Sequence, residues 1–291
     1  MIKLFASDLD GTLLNAFHNT DAVILSALRE VAEAGLHFAL ATGRTMRTCS
    51  DFGFDGVDIE VIGSNGSIIF DRTGRVVKHF PVDAAFLEEM LRAFPQACFE
   101  CVALDHTYVT GTAEERQAGF KKDSPLRRMV MKGMRRSQRQ SNDLLFEQPI
   151  SAILEHEVCK VNARVPDAGL ERELHTFLAE HADTVVNAPF DPVMFEITDK
   201  RVNKGAAVAW LAGYLGIAED EVAVYGDGGN DIVMLERFAG FGHAYATRNA
   251  SKAAKAAAGN VIGTCALHAV PRHVRATLGA QSAATIYTRI E

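Results

Sequence analysis

Residues 2–14 read Ile2-Lys3-Leu4-Phe5-Ala6-Ser7-Asp8-Leu9-Asp10-Gly11-Thr12-Leu13-Leu14, a short apolar run that ends on two carboxylates one residue apart. The run Ile2 to Ser7 has the length and composition of a buried strand, and Gly11 opens a turn after it. Ligands in doubly wound sheets gather at the carboxyl ends of strands, so Asp8 and Asp10 are expected to point into a cleft. Two anions this close repel, and each raises the other's pKa unless a cation sits beside them. A hard divalent ion with oxygen ligands, most simply Mg²⁺, resolves that conflict.

Working outward, the pattern predicts a helix from about Asp21 to Ala34 and a second strand from His37 to Thr42. Thr20 is the expected cap, Val23, Ile24, Ala27, Leu28 and Val31 the buried stripe, and Gly35 the left-handed stop. A third strand, Ile59 to Gly63, ends at Asn65-Gly66. This βαβ alternation predicts an α/β fold with a doubly wound, Rossmann-like parallel sheet. From about Asp83 the texture changes to amphipathic helices and alternating strands, including Leu87 to Phe94, Ala97 to Leu104, Ser151 to Glu155, Lys160 to Val165 and Leu170 to His181. The alternation then returns with a helix from Lys204 to Leu215, a strand from Val222 to Tyr225, a helix beginning near Asn230 and a strand near Phe241 to Tyr245. The expected organisation is a core from residues 1–82 and 187–291 with an inserted α/β domain at 83–186.

The strand Val222 to Tyr225 runs into a second acidic group, Gly226-Asp227-Gly228-Gly229-Asn230-Asp231. Its glycines let backbone and metal come close. Carboxylates at two strand ends suit a divalent ion held against a phosphate, although Asp-Gly pairs also occur as plain turns. Thr42 is either a phosphate-binding hydroxyl or an ordinary strand end. Lys204 is either a phosphate-binding ammonium or a helix residue with its head in solvent, and a cation there opposes the helix macrodipole unless an anion is bound. Asn65 reads as a turn residue, and Arg44 and Glu196 carry no assignment.

The chain has 291 residues, 48% hydrophobic and 23% charged, a globular composition with room for two domains. A net charge of -7 and a pI near 5.8 argue against a general role on nucleic-acid phosphates. No apolar stretch approaches the roughly 18 residues of a membrane span, and the N-terminus meets Asp8 before a signal core forms, so a cytoplasmic location is expected. Five scattered cysteines fit reduced thiols, and the lone Cys98-x-x-Cys101 fits packing better than zinc. The basic stretch 121–139 is either a solvated face or a set of cations steering anionic substrates, with nucleic-acid binding third because the run lacks interleaved aromatics. The ten histidines form no metallohydrolase or acyl-hydrolase pattern and read as structural.

Taken in order, these segments resemble the haloacid dehalogenase superfamily. Asp8-Leu9-Asp10-Gly11-Thr12-Leu13-Leu14 is similar to its first motif, Thr42-Gly43-Arg44 to the second, Lys204 within Val202-Asn203-Lys204-Gly205 to the third, and Gly226 to Asp231 to the fourth. The spacing, with Asn65-Gly66 ahead of a long insert, resembles the Cof-type sugar-phosphatase branch with an α/β (type IIB) cap, over nearly the whole chain. Near the C-terminus the chain departs from the branch, reading Gly263-Thr264-Cys265-Ala266-Leu267-His268 where similar members carry an Asn-x-x-Asp-Gly-Val-like segment.

The resemblance implies that Asp8 is the nucleophile that becomes an aspartyl phosphate and Asp10 the general acid and base. It implies Mg²⁺ held by Asp8, Asp10 (through its carbonyl) and Asp227, with Asp231 orienting that shell. Thr42, Lys204, Asn230 and main-chain N–H groups near Leu9 and Gly43 would hold the phosphoryl oxygens. The implied substrates are small phosphorylated metabolites, sugar phosphates or cofactor phosphates such as pyridoxal phosphate or flavin mononucleotide, with the cap closing over the cleft and deciding which. A phosphomutase of the phosphomannomutase type and a catalytically silent phosphometabolite-binding protein are the alternatives. The sequence names neither the substrate, the specificity residues of the cap, the pathway nor the oligomeric state.

Overall fold

The computed structural model describes residues 1–48, 50–119, 143–165, 167–188 and 194–288, so the basic stretch 121–139 and Cys49 lie outside the described residues. The chain divides into two compact units, Met1–Lys78 with Asn203–Glu291, and His79–Val202. In the first, eight strands stand side by side in the order Asn260–Val261, Ala244–Ala246, Val222–Gly226, Leu4–Ser7, His37–Ala41, Glu60–Gly63, Ile68–Phe70 and Val76–His79. The pairings from Asn260–Val261 through Glu60–Gly63 are parallel. Ile68–Phe70 turns back antiparallel on Glu60–Gly63, an edge feature the βαβ pattern did not announce.

The central strands are apolar along their whole length because helices cover both faces of such a sheet, and Leu4, Phe5, Ala6 and Ser7 are fully buried. Their carboxyl ends, Ser7, Ala41 and Gly226, lie along one edge, since the strands pair in parallel register. The helix Ala22–Glu33 is capped by Asp21, whose side chain accepts from Val23 and Ile24 N–H groups at 3.0 and 3.1 Å. Thr20, the expected cap, instead donates to the carbonyls of Phe52 and Gly53. Val23 is 39% exposed and drops out of the stripe, which is carried by Ile24, Ala27, Leu28 and Val31. Gly35 is left-handed, with φ of +73°.

In the second unit a six-stranded sheet runs Val185–Asn187, Phe195–Asp199, Lys160–Ala163, Phe99–Val102, Thr107–Val109, Leu144–Leu145. The helices Ala84–Ala93 and Ala168–Glu180 contribute Phe86, Leu87, Met90, Leu170 and Leu174 to a core shared with Phe99, Cys101, Val161 and Ile197. Ser151 to Glu155 falls on a short helix, Ile150–Ile153. The insert therefore begins at His79 and not at residue 83, and the chain leaves it at Asn203 and not at 187. The physical reason is that Val185–Asn187 and Phe195–Asp199 pair antiparallel and continue the inserted sheet through Lys160–Ala163. Glu196 is buried there and pairs with Lys160. Cys101 is a fully buried core residue and Cys98 is half-buried, both as free thiols.

Candidate active site

Asp8 follows directly on the central strand, and its N–H donates to the Tyr225 carbonyl at 3.0 Å, which ties the two acidic segments together at one sheet edge. Lys204 opens the helix Lys204–Tyr214, which buries Ala207, Val208, Leu211 and Ala212. That packing carries the Lys204 side chain inside, only 1% exposed, so the reading with its head in solvent is overturned. Its ammonium donates to Asp8 Oδ1 and to Asp231 Oδ1, each at 2.6 Å. Burial works against the charged ammonium, but Asp231 and Asp8 outweigh it and hold the Lys204 pKa above its ordinary value. The cation that opposes the macrodipole is thus matched by two buried anions.

Asp231 is fully engaged. Its Oδ2 accepts from the N–H groups of Asp227 and Gly228, both at 2.9 Å, which fixes the glycine-rich loop. Asp227 Oδ1 accepts from the Thr12 hydroxyl at 3.1 Å. Gly11 adopts φ of +79°, and a Cβ there would stand 2.2 Å from Asp227 Oδ2, so glycine is required both for the turn and for this close approach. Asn249 and Thr247 donate to the Gly11 carbonyl at 2.7 and 3.2 Å.

Asp8, Asp227 and Asp231 each offer a carboxylate oxygen, all within 4.8 Å of one another. Burial first, and then the Asp231 and Asp10 charges, push the Asp8 carboxyl well up against the pull of Lys204. Burial, with Asp231 next, raises Asp227 to about 6. Three hard oxygen donors crowded into a buried site, two of them resisting ionisation, suit a Mg²⁺-sized cation.

Asp10 is placed differently. Its carboxylate accepts from Arg44 Nε at 2.7 Å and Arg44 Nη2 at 2.5 Å, and His18 Nδ1 lies 3.2 Å from Oδ1. Burial pushes its pKa up, yet the hydrogen bonds and charges of His18 and Arg44 prevail and hold it at about 2. Arg44 also stacks over the Phe52 ring, 4.6 Å from its centroid. Both partners escaped the sequence reading. Arg44 stood unassigned beside Thr42-Gly43, its position being the one available signal, and His18 carried none.

Thr42 sits just past the strand His37–Ala41, 1% exposed, with its hydroxyl accepting from the Arg44 N–H at 3.0 Å. Leu9 is fully buried at the start of the turn. Gly43 lies against Asn65 and Asn230, and the Asn230 amide donates to Asn65 Oδ1 at 3.1 Å. Asn65 does lie in a tight turn, Ser64–Gly66, and that turn is buried beside the site. None of the described helices is long and apolar enough to cross a membrane.

A family model described as haloacid dehalogenase-like hydrolase matches residues 5–273. The curated Phosphatase YwpJ of Bacillus subtilis is 30% identical over 256 residues, which cover 81% of this chain and 86% of that protein. An HMP-PP phosphatase of Citrobacter koseri is 26% identical, covering 81% of each. Among solved structures, a haloacid dehalogenase-like hydrolase from B. subtilis superposes with a TM-score of 0.78 at 25% identity, covering 94% of this chain and 99% of that one.

Proposed function

The chain belongs to the haloacid dehalogenase-like hydrolases, and from that premise we propose that it is a Mg²⁺-dependent phosphatase working through an aspartyl phosphate on Asp8. The observation that carries this reading is the Asp8 carboxylate, buried at a strand end, sharing the Lys204 ammonium with Asp231 beside Asp227. That so expensive a set of buried charges exists is hard to explain by packing alone. The relatives bearing phosphatase names support the reaction class.

In this reading Asp8 attacks phosphorus, the P–O bond to the leaving group breaks, and water then cleaves the acyl phosphate to regenerate Asp8. Mg²⁺ held by Asp8, Asp227 and the Asp10 carbonyl, with Asp231 steadying the loop, would neutralise charge on the transferring group. Lys204, the Thr42 hydroxyl, the Asn230 amide and the N–H groups near Leu9 and Gly43 receive the phosphoryl oxygens. Asp10 gives a proton to the leaving oxygen and takes one from water. Arg44 and His18 hold its pKa at about 2, so its carboxyl is ionised at neutral pH before substrate arrives. The substrates are small phosphorylated metabolites, sugar phosphates first and cofactor phosphates second.

The test is purified protein against a panel of phosphorylated metabolites, with and without Mg²⁺, scored for free phosphate and for isomerised product. Release of phosphate that requires Mg²⁺ and vanishes in Asp8→Asn supports the reading. Isomerised product without phosphate release indicates a phosphomutase. An Asp8→Asn protein as active as the parent refutes the covalent scheme.

A further inference from the structure

The strand Glu60–Gly63 ends in Ser64-Asn65-Gly66, three successive residues with φ of +52°, +61° and +108°. Holding a non-glycine residue in this region costs on the order of 1 kcal/mol or more, and here two stand side by side, both buried. Such strain persists only where surrounding contacts impose it. They do so here by binding the turn to the segment Thr42-Gly43-Arg44. The Ser64 N–H donates to the Arg44 carbonyl at 3.0 Å and the Asn65 N–H to the Thr42 carbonyl at 2.9 Å. Ser67 Oγ closes the turn onto the Ser64 carbonyl at 2.7 Å. On its other side the turn rests on the start of the helix that carries Lys204, since a Cβ on Gly66 would lie 2.9 Å from Ala207 Cβ and 3.0 Å from the Asn203 carbonyl oxygen.

The Asn65 side chain reaches the remaining segment. Its Oδ1 accepts from Asn230 Nδ2 at 3.1 Å, and lies 2.9 Å from where a Cβ on Gly43 would be. One residue thus touches the segments of Thr42, Gly43 and Asn230, while its neighbour Gly66 touches that of Lys204. A primary amide has two N–H donors and one carbonyl acceptor. One Asn230 N–H is given to Asn65, and the second N–H is the donor that would meet an anion.

We propose that Asn65 is a positioning residue for phosphoryl binding, fixing the Asn230 amide against the Gly43 backbone. It does so from a turn held in its left-handed shape by the segments it joins. This rests on the reading of Gly43 and Asn230 as phosphoryl ligands. Asn suits the position twice over, because it tolerates the left-handed backbone better than other side chains and supplies the acceptor that Asn230 needs.

The experiment uses the full chain with Mg²⁺, p-nitrophenyl phosphate as substrate and inorganic phosphate as competing inhibitor. Asn65→Gly keeps the backbone shape and deletes the amide. It is expected to melt near the parent temperature while phosphate inhibits about tenfold more weakly, the scale of one lost buried hydrogen bond. In an Asn230→Ala background the same change is expected to weaken inhibition no further, since a residue acting through another shows no separate effect once that partner is gone. Unchanged inhibition in Asn65→Gly, or full additivity with Asn230→Ala, overturns the proposal. Should Asn65→Gly fail to fold, Asn65→Asp retains an acceptor for Asn230. Asn230→Ala should then cost as much on that variant as on the parent, and a vanished cost overturns the proposal. A parent that does not hydrolyse the substrate at all condemns the phosphatase reading instead.

Discussion

The Lys204 ammonium donates to the Asp8 carboxylate at 2.6 Å inside the sheet edge, joining two residues 196 positions apart in the chain. A second carboxylate, that of Asp231, accepts another of its hydrogen bonds at the same distance. Lys204→Met should therefore leave two buried carboxylates without the ammonium they share. Breaking such a pair costs about 3–5 kcal/mol, and urea unfolding at neutral pH is the measurement. Turnover should fall by a factor of about a hundred or more, because the cation that would meet the phosphoryl group is lost as well. A variant as stable and active as the parent would show that the buried pair is incidental.

Asp227 gives a pH dependence whose sign is fixed by its environment. Its folded pKa is raised from 3.8 to about 6, by burial first and Asp231 second. A raised pKa means the protonated form is the one the fold prefers, so its contribution is complete below about pH 4 and is lost as pH rises through about 6. Asp8 is shifted in the same direction. Protein stripped of divalent ions should accordingly melt lower at pH 7 than at pH 5, as far as these groups decide it. Mg²⁺, which favours ionised carboxylates, should raise the melting temperature more at pH 7 than at pH 5. Asp227→Asn should flatten both effects, and calorimetric scans of the two proteins at the two pH values check this.

Much of the candidate site was legible because its members occupy strand ends and helix starts, positions that a hydrophobic period marks out. Asp8 and Asp227 each follow an apolar run, and Lys204 opens a helix whose small residues press it into the core. What stayed hidden depends on partners remote in sequence. Nothing local to Asp10 tells that Arg44 and His18 will hold it, and nothing local to Glu196 tells of Lys160. The strand Phe195–Asp199 reads the same in either sheet, and only its pairing with Lys160–Ala163 assigns it to the insert. Thr20 and Asp21 are neighbouring residues that both make good caps. The choice between them was settled by Phe52 and Gly53, whose carbonyls claim the threonine hydroxyl.

Gly11 offers a test of how closely the two acidic loops are fitted. Alanine there would have to adopt φ of +79° with its Cβ 2.2 Å from Asp227 Oδ2, so the Asp227 carboxylate must move. The backbone alone should cost about 1–2 kcal/mol in stability. On the proposed mechanism activity should suffer more than stability, roughly tenfold or beyond, because a displaced Asp227 would spoil the geometry that phosphoryl transfer needs. Steady-state phosphate release set against the urea midpoint separates the two. A Gly11→Ala protein that loses stability alone would indicate that the Asp227 position is not critical.

Arg44 makes the opposite electrostatic prediction from Asp227. Against burial, the hydrogen bonds and charges of His18 and Arg44 lower the Asp10 pKa from 3.8 to about 2. A lowered pKa contributes stability that is present above about pH 4 and disappears as pH falls through about 2. The shift corresponds to roughly 2 kcal/mol shared between the two partners. Arg44→Met should thus be less stable than the parent at pH 7, and the gap should close in acid across that window. It should also free the Asp10 carboxyl to hold a proton at higher pH, moving the acid limb of the pH–rate profile upward. If the profile stays fixed while stability falls, Arg44 serves the fold and leaves the proton transfer untouched.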